Sequence, residues 1–148
     1  MSAKHTIKVK KYSDVIEEYV ANAAITPGDL IEVMTTGLVR KHATINANAL
    51  PMFALEDESQ GKIITQDYAS TDIVQCWIPG RGDQVYATLA SGQNVTIGTF
   101  LCSNGNGHLK AVADQSSLGD DEPNRIVGIA TEAVNASGAA ARIIVRII

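Results

Sequence analysis

The chain has 148 residues, 45% of them apolar and 19% charged, with a formal net charge of −4. That balance is globular; it excludes an intrinsically disordered chain and leaves no basic face for a general nucleic-acid binder to set against phosphate. No apolar run approaches the roughly 20 residues of a membrane span and the first residues lack a signal-peptide core, so the expectation is a protein made and kept in the cytoplasm unless it leaves in a larger particle.

Residues 1–23 read as an N-terminal arm. Lys4, Lys8, Lys10 and Lys11 gather there, either as a polyanion-seeking element or as a solvated terminus. "HTIKVKKY" alternates at period two, which predicts an extended run through Ile7, Val9 and Tyr12. "SDVIEEYVANAA" is open to two readings. Asp14 followed by Glu17 caps a helix whose stripe is Val15, Ile16, Tyr19, Val20 and Ala23, or the extended run simply continues; the extended reading is preferred.

From Ala24 onwards the chain reads as short strands punctuated by Gly, Asn, Asp and Pro. "ITPGDLIEV" (25–33) returns as "VTIGTFLCS" (95–103), with Gly28 and Gly98, and Gly37 and Gly107, in constant register. Hairpins are expected around "MTTG" and "SNGNG", whose glycines supply positive φ. "PMFALEDES" matches "RIVGIATEA", setting Met52, Phe53 and Leu55 against Ile126, Val127 and Ile129. In "DIVQCWIP" Val74, Cys76 and Ile78 share a face, as Ile143, Val145 and Ile147 do in "ARIIVRII", whereas Gln75 and Trp77 lie on the other. "DQVYATLA" is an extra strand between the halves. The expected fold is all-β: a small β-barrel or β-tulip body (β-clip-like) over 24–148, built from half-repeats at about 24–80 and 94–148, behind an extended arm.

Chemistry-bearing constellations are scarce. His5, His42 and His108 lack metal-ligand spacing and read as surface histidines. Cys76 and Cys102 are too few and too distant for a zinc cluster or redox pair and read as buried free thiols. Glu56-Asp57-Glu58 and Asp120-Asp121-Glu122 lack the alternation and glycine of a calcium loop and read as solvated. Arg81-Gly82-Asp83 matches an adhesion triplet, but Gly80 and Gly82 explain it as a turn. No nucleophile elbow and no phosphate loop follows a strand. The expectation is no enzyme, no cofactor and no metal.

"AITPGDLIEV", "LPMFALEDESQGKI", "VQCWIPGRGDQVYATLASGQNVTIGTFLCSNGNGHLK", "RIVGIATEAV" and "ARIIVRII" together resemble the head decoration (cement) proteins of tailed bacteriophages, over Ala24 to Ile148. The resemblance implies a structural virion protein on the outer surface of the expanded capsid. It would be a homotrimer at three-fold and quasi-three-fold positions, with the major capsid protein as partner and neither nucleic acid nor membrane. Three contact surfaces follow as expectations: the arm with Ile7, Val9 and Tyr12; Trp77, at a subunit interface or else beneath a second sheet of its own domain; and the loops Ala43–Leu50, with Asn46 and Asn48, and Asp114–Asn124, with Asp120 and Asp121. An alternative from another class is a β-clip module that holds a ligand or glycan, with Trp77, Tyr86 and Tyr68 as stacking residues.

Overall fold

The computed structural model describes residues 3–12, 14–112 and 125–148. In chain order the strands are β1 (Lys8–Lys10), β2 (Ile16–Val20), β3 (Ile31–Val33), β4 (Val39–Lys41), β5 (Phe53–Ala54), β6 (Ile73–Trp77), β7 (Gln84–Leu89), β8 (Gln93–Val95), β9 (Phe100–Ser103), β10 (Leu109–Ala111), β11 (Gly128–Ala130), β12 (Val134–Ala136) and β13 (Ala141–Ile147). Among the described residues there is no α-helix, and Glu58–Gln60 forms a 3-10 turn. Ile16–Val20 is therefore strand, as the alternation favoured: its Ile, Tyr and Val are strand formers, and β6 satisfies the backbone along one of its edges.

β7 is the central strand. β13 pairs along one of its edges from Ala141↔Leu89 to Arg146↔Gln84. On the other edge β10 runs parallel at Leu109↔Leu89, and β1 runs antiparallel at Lys8↔Val85. β10 pairs with β9, β9 with β11, and β11 with β13. The circuit β7–β10–β9–β11–β13 closes into a small five-stranded mixed barrel, which leaves no free edge within it. "DQVYATLA", read from sequence as an extra strand, thus holds the barrel shut. Nothing in its alternation distinguishes a central strand from a connecting one.

The preceding residues form smaller sheets: β2–β6–β5 and the hairpin β3–β4, linked by single bridges at Leu30↔Phe53 and Ala21↔Val39. Their pairings correspond to those of the barrel. Ile31↔Lys41 matches Leu101↔Ala111, Leu30↔Phe53 matches Phe100↔Ile129, and Ala54↔Cys76 matches Ala130↔Val145. Ile16↔Trp77 matches Gln84↔Arg146, and the parallel bridge Ala21↔Val39 matches Leu89↔Leu109. One register needs correction: the pairings put Phe53 in the place of Ile129, two residues beyond the Val127 that the sequence match gave it. A slip of two keeps every side chain on its face, so alternation alone does not fix it.

Two apolar clusters fill the body. The larger holds Ile7, Leu30, Phe53, Trp77, Val85, Leu89, Leu101, Leu109, Ile143 and Val145; the smaller holds Ile25, Ile31, Val39, Ala54, Tyr68, Val74 and Cys76. β6 serves both, with Val74 and Cys76 on one face and Trp77 on the other, because successive strand side chains point to opposite sides.

Candidate functional site

The repeated motif forms the same turn twice. Thr26 N–H donates to Asp29 Oδ2 at 2.9 Å and Thr96 N–H to Thr99 Oγ1 at 3.3 Å. Gly28 N–H meets the Ala54 carbonyl at 2.7 Å and Gly98 N–H the Ala130 carbonyl at 2.9 Å. Asp29 is buried, Lys41 Nζ stands 3.5 Å from its Oδ2, and burial raises its pKa above the usual carboxylate range. Burial likewise lowers that of Arg142, whose Nη2 donates to the Ile64 carbonyl at 3.1 Å. These turns position strands.

The N-terminal segment is held at both ends by buried carboxylates. Glu56 accepts the Thr6 hydroxyl at 2.6 Å and the Ile7 N–H at 3.2 Å. Asp83 accepts the Tyr12 N–H at 2.6 Å and, through its other oxygen, the Gly80 N–H at 2.8 Å. Between these clamps β1 lies on β7 with Ile7 sealed in the larger core. The segment is extended, as read from sequence, but it is built into the body. Two sequence readings change here. Glu56 and Asp57 are buried instead of solvated, and Asp83 of the Arg-Gly-Asp triplet is wholly buried, so its carboxylate is not offered to an adhesion receptor. A strand-end carboxylate looks the same in sequence whether it meets water or another segment's N–H groups, which is why both clamps were missed.

A second outward surface is the 43–50 loop. His42 is buried and ties the loop down; it is not the surface histidine expected. Its Nε2 lies 3.1 Å from the Asn48 carbonyl, which can only accept, so that nitrogen carries a proton; Nδ1 lies 2.7 Å from Ser103 Oγ. Asn46 N–H donates to the Ser103 carbonyl at 3.1 Å. With its backbone fixed, the loop exposes Asn46 and Asn48 and two apolar side chains, Ile45 at 52% and Leu50 at 63%. Glu32 Oε2 is 3.6 Å from His42 Nε2, so Ser103, His42 and Glu32 resemble a hydrolytic triad. The geometry defeats it: Ser103 is completely buried and its hydroxyl accepts the Gly105 N–H at 3.1 Å.

The remaining expected site residues are dispersed. Tyr12 is 83% exposed and Val9 partly so, whereas Ile7 and Trp77 are fully buried. Of the two readings of Trp77, cover within its own domain is the one observed, and its ring is not available to a neighbour. Asp120 and Asp121, with the loop around them, lie outside the described residues. Tyr68 is buried with its hydroxyl on the Leu55 carbonyl, and Tyr86 is half-buried under Arg142, so the three aromatics form no stacking platform for a glycan. Cys76 and Cys102 are buried free thiols, as read. Among the described residues no cluster of His, Cys, Asp and Glu is arranged to hold a metal.

No protein-family model matches the chain, and no curated protein sequence does. Among solved structures, the chain is similar in fold to the N base of the head fiber protein gp8.5 of bacteriophage phi29. The TM-score is 0.57 at 15% identity, over 92% of this chain and 95% of that one.

Proposed function

We propose that the chain is a structural protein of a tailed-phage head, bound to the outer surface of the capsid. The observation that carries this reading is the fold likeness to a head-fiber base over nearly the full length of both chains. More finely, it is a decoration protein: a homotrimer at three-fold and quasi-three-fold positions of the expanded shell, tying neighbouring capsomers of the major capsid protein together. Its work is adhesion, without catalysis or cofactor. A domain of this size brings an interface of about 800 Å² a side, and cyclic trimerisation raises effective affinity by a factor on the order of 10² to 10⁴.

The contact residues in this reading are Tyr12 and Val9 beside β1, Asn46 and Asn48 on the anchored loop with the exposed Ile45 and Leu50, and Asp120 and Asp121. Ile7 and Trp77 support them from within the core. The body is a β-tulip of two similar halves, a reading supported by the matched pairings of β2–β6 with β7, β9, β10, β11 and β13. Co-sedimentation with expanded, undecorated heads assembled from the major capsid protein of the same genome tests the function. Saturable binding to expanded but not unexpanded shells is expected; binding to neither overturns the proposal.

A further inference from the structure

β2 and β7 occupy corresponding places, but only one of them is covered. The outer edge of β7 from Gln84 to Tyr86 carries β1: Lys8 pairs with Val85, Lys10 with Gln84, and Tyr86 N–H donates to the Ile7 carbonyl at 2.8 Å. The corresponding edge of β2, from Ile16 to Glu18, carries no strand among the described residues, and all three residues are exposed. Register shows which backbone groups face outward. Ala21 N–H reaches the Asp72 carbonyl at 2.8 Å and Ile78 N–H the Val15 carbonyl at 2.9 Å, so the odd-numbered positions bond towards β6. The N–H and C=O groups of Ile16 and Glu18 therefore point away from the sheet, whereas beyond Tyr19 the same edge meets β4 through the Ala21↔Val39 bridge.

We infer that this edge is a strand-acceptor site for an extended, alternately basic and apolar segment of the shell protein. The identity of that partner rests on the proposed function; the chemistry of the site does not. Glu17 and Glu18 lie on the strand, and Glu18 and Glu58 line a groove of about 240 Å³ beside it with Ile16 and Leu55; Lys8 lines it too, and Glu56 there is already engaged by Thr6 and Ile7. Asp14 is already paired to Lys8 and Lys11. This is an acidic edge with an apolar floor, and β1 shows the kind of segment that fits the corresponding edge: Ile7-Lys8-Val9-Lys10. The chain's own β1 is not free to move there, because Glu56 and Asp83 clamp it and Ile7 is sealed in the core. A second copy's β2 is disfavoured because Glu would face Glu across the new ladder. Backbone bonds would supply affinity, and the Glu side chains would select a basic strand.

A labelled peptide of residues 4–12, KHTIKVKKY, titrated against the full-length chain by fluorescence anisotropy, tests the site independently of any shell. Saturable binding is expected, at least tenfold weaker in Glu18→Pro. Proline at 18 removes only an outward N–H and blocks the edge, whereas the β2–β6 bonds survive. A paired Glu17→Lys/Glu18→Lys variant, which keeps the backbone intact, is expected to weaken binding by a similar factor and serves if the proline variant does not fold. No saturable binding to the parent chain, or equal binding by the parent and the folded variants, overturns the inference. In shell co-sedimentation, a parent chain that binds and variants that do not support both proposals. Variants that bind as well as the parent overturn this one alone, and a parent that binds the peptide but no shell overturns only the capsid reading.

Discussion

At the scale of single residues, buried polar groups determine where the surface lies. Asp83 is fully buried and holds Tyr12 and Gly80 through their N–H groups. Asp83→Ala is expected to cost about 2–3 kcal/mol, from the loss of two hydrogen bonds to a charged group, read as a lower midpoint in urea with an accompanying release of Tyr12. The thiol of Cys76 gives a pH prediction. Burial pushes it from 9.0 up to about 12, with Tyr19's backbone bond only partly opposing the shift. A pKa raised by folding contributes stability that is complete below 9.0 and is lost as pH rises towards 12. Alkylation by iodoacetamide at pH 8 should therefore be negligible in the native chain and rapid in urea, with both cysteines reacting together.

At the scale of elements, corresponding positions carry different loads. Gly28 and Gly98 both sit at φ near +90°, so alanine at either is expected to cost about 1–2 kcal/mol from backbone conformation. At Gly98 a Cβ meets open space, whereas at Gly28 it would stand 2.8 Å from the Tyr86 carbonyl and against the Arg142 guanidinium. Gly28→Ala should therefore lower the urea midpoint more than Gly98→Ala. Much of this level was legible in the sequence: the hairpins, the turn motif, the buried thiols and the inner faces of β6 and β13 follow from alternation and turn residues. Pairing partners did not. Nothing local in "DQVYATLA" says that it will bond to three other strands, nor does anything in "ALED" say that its Glu will cap the backbone of residue 7. Such facts arise from long-range closure, and a sequence pattern of period two contains no distance.

At the scale of the whole molecule, the N-terminal residues are structural. Ile7 belongs to the larger core and β2 to the sheet that carries Trp77. A chain starting at Ala24 is thus expected to lose cooperative unfolding as well as any shell binding, so it tests stability and not a contact. Substitutions at Tyr12 or at the exposed Ile45 and Leu50 are the cleaner probes. Tyr12→Ala should leave the unfolding free energy in urea within roughly 0.5 kcal/mol of the parent's, as surface changes generally do, and in the proposed reading it weakens co-sedimentation with expanded heads. The candidate site was only partly visible from sequence for the same reason as the pairings: Tyr12, Asn46 and Asn48 emerge at the surface, but Ile7 and Trp77 do not, and an apolar residue on an alternating strand gives no sign of which face will be roofed.

β6 has neighbours that share its double allegiance. Leu30, Phe53 and Trp77 lie in one core, and the residues beside them, Ile31, Ala54 and Cys76, lie in the other. A chain that repeats its pairings would be expected to divide into two fragments at the turn near Gly80, each able to stand alone. Sharing of the larger core opposes it: Ile7, Leu30, Phe53, Leu55 and Trp77 precede the turn and its other members follow it. A cut there opens that core, even though the barrel strands all follow the turn and the smaller core lies wholly before it. Residues 1–80 and 81–148 made separately should each be markedly less stable than the whole chain, and mixing them should restore that stability as a complex, in the manner of a split reporter. The duplication in the pairings is thus a record of pattern and not of independence.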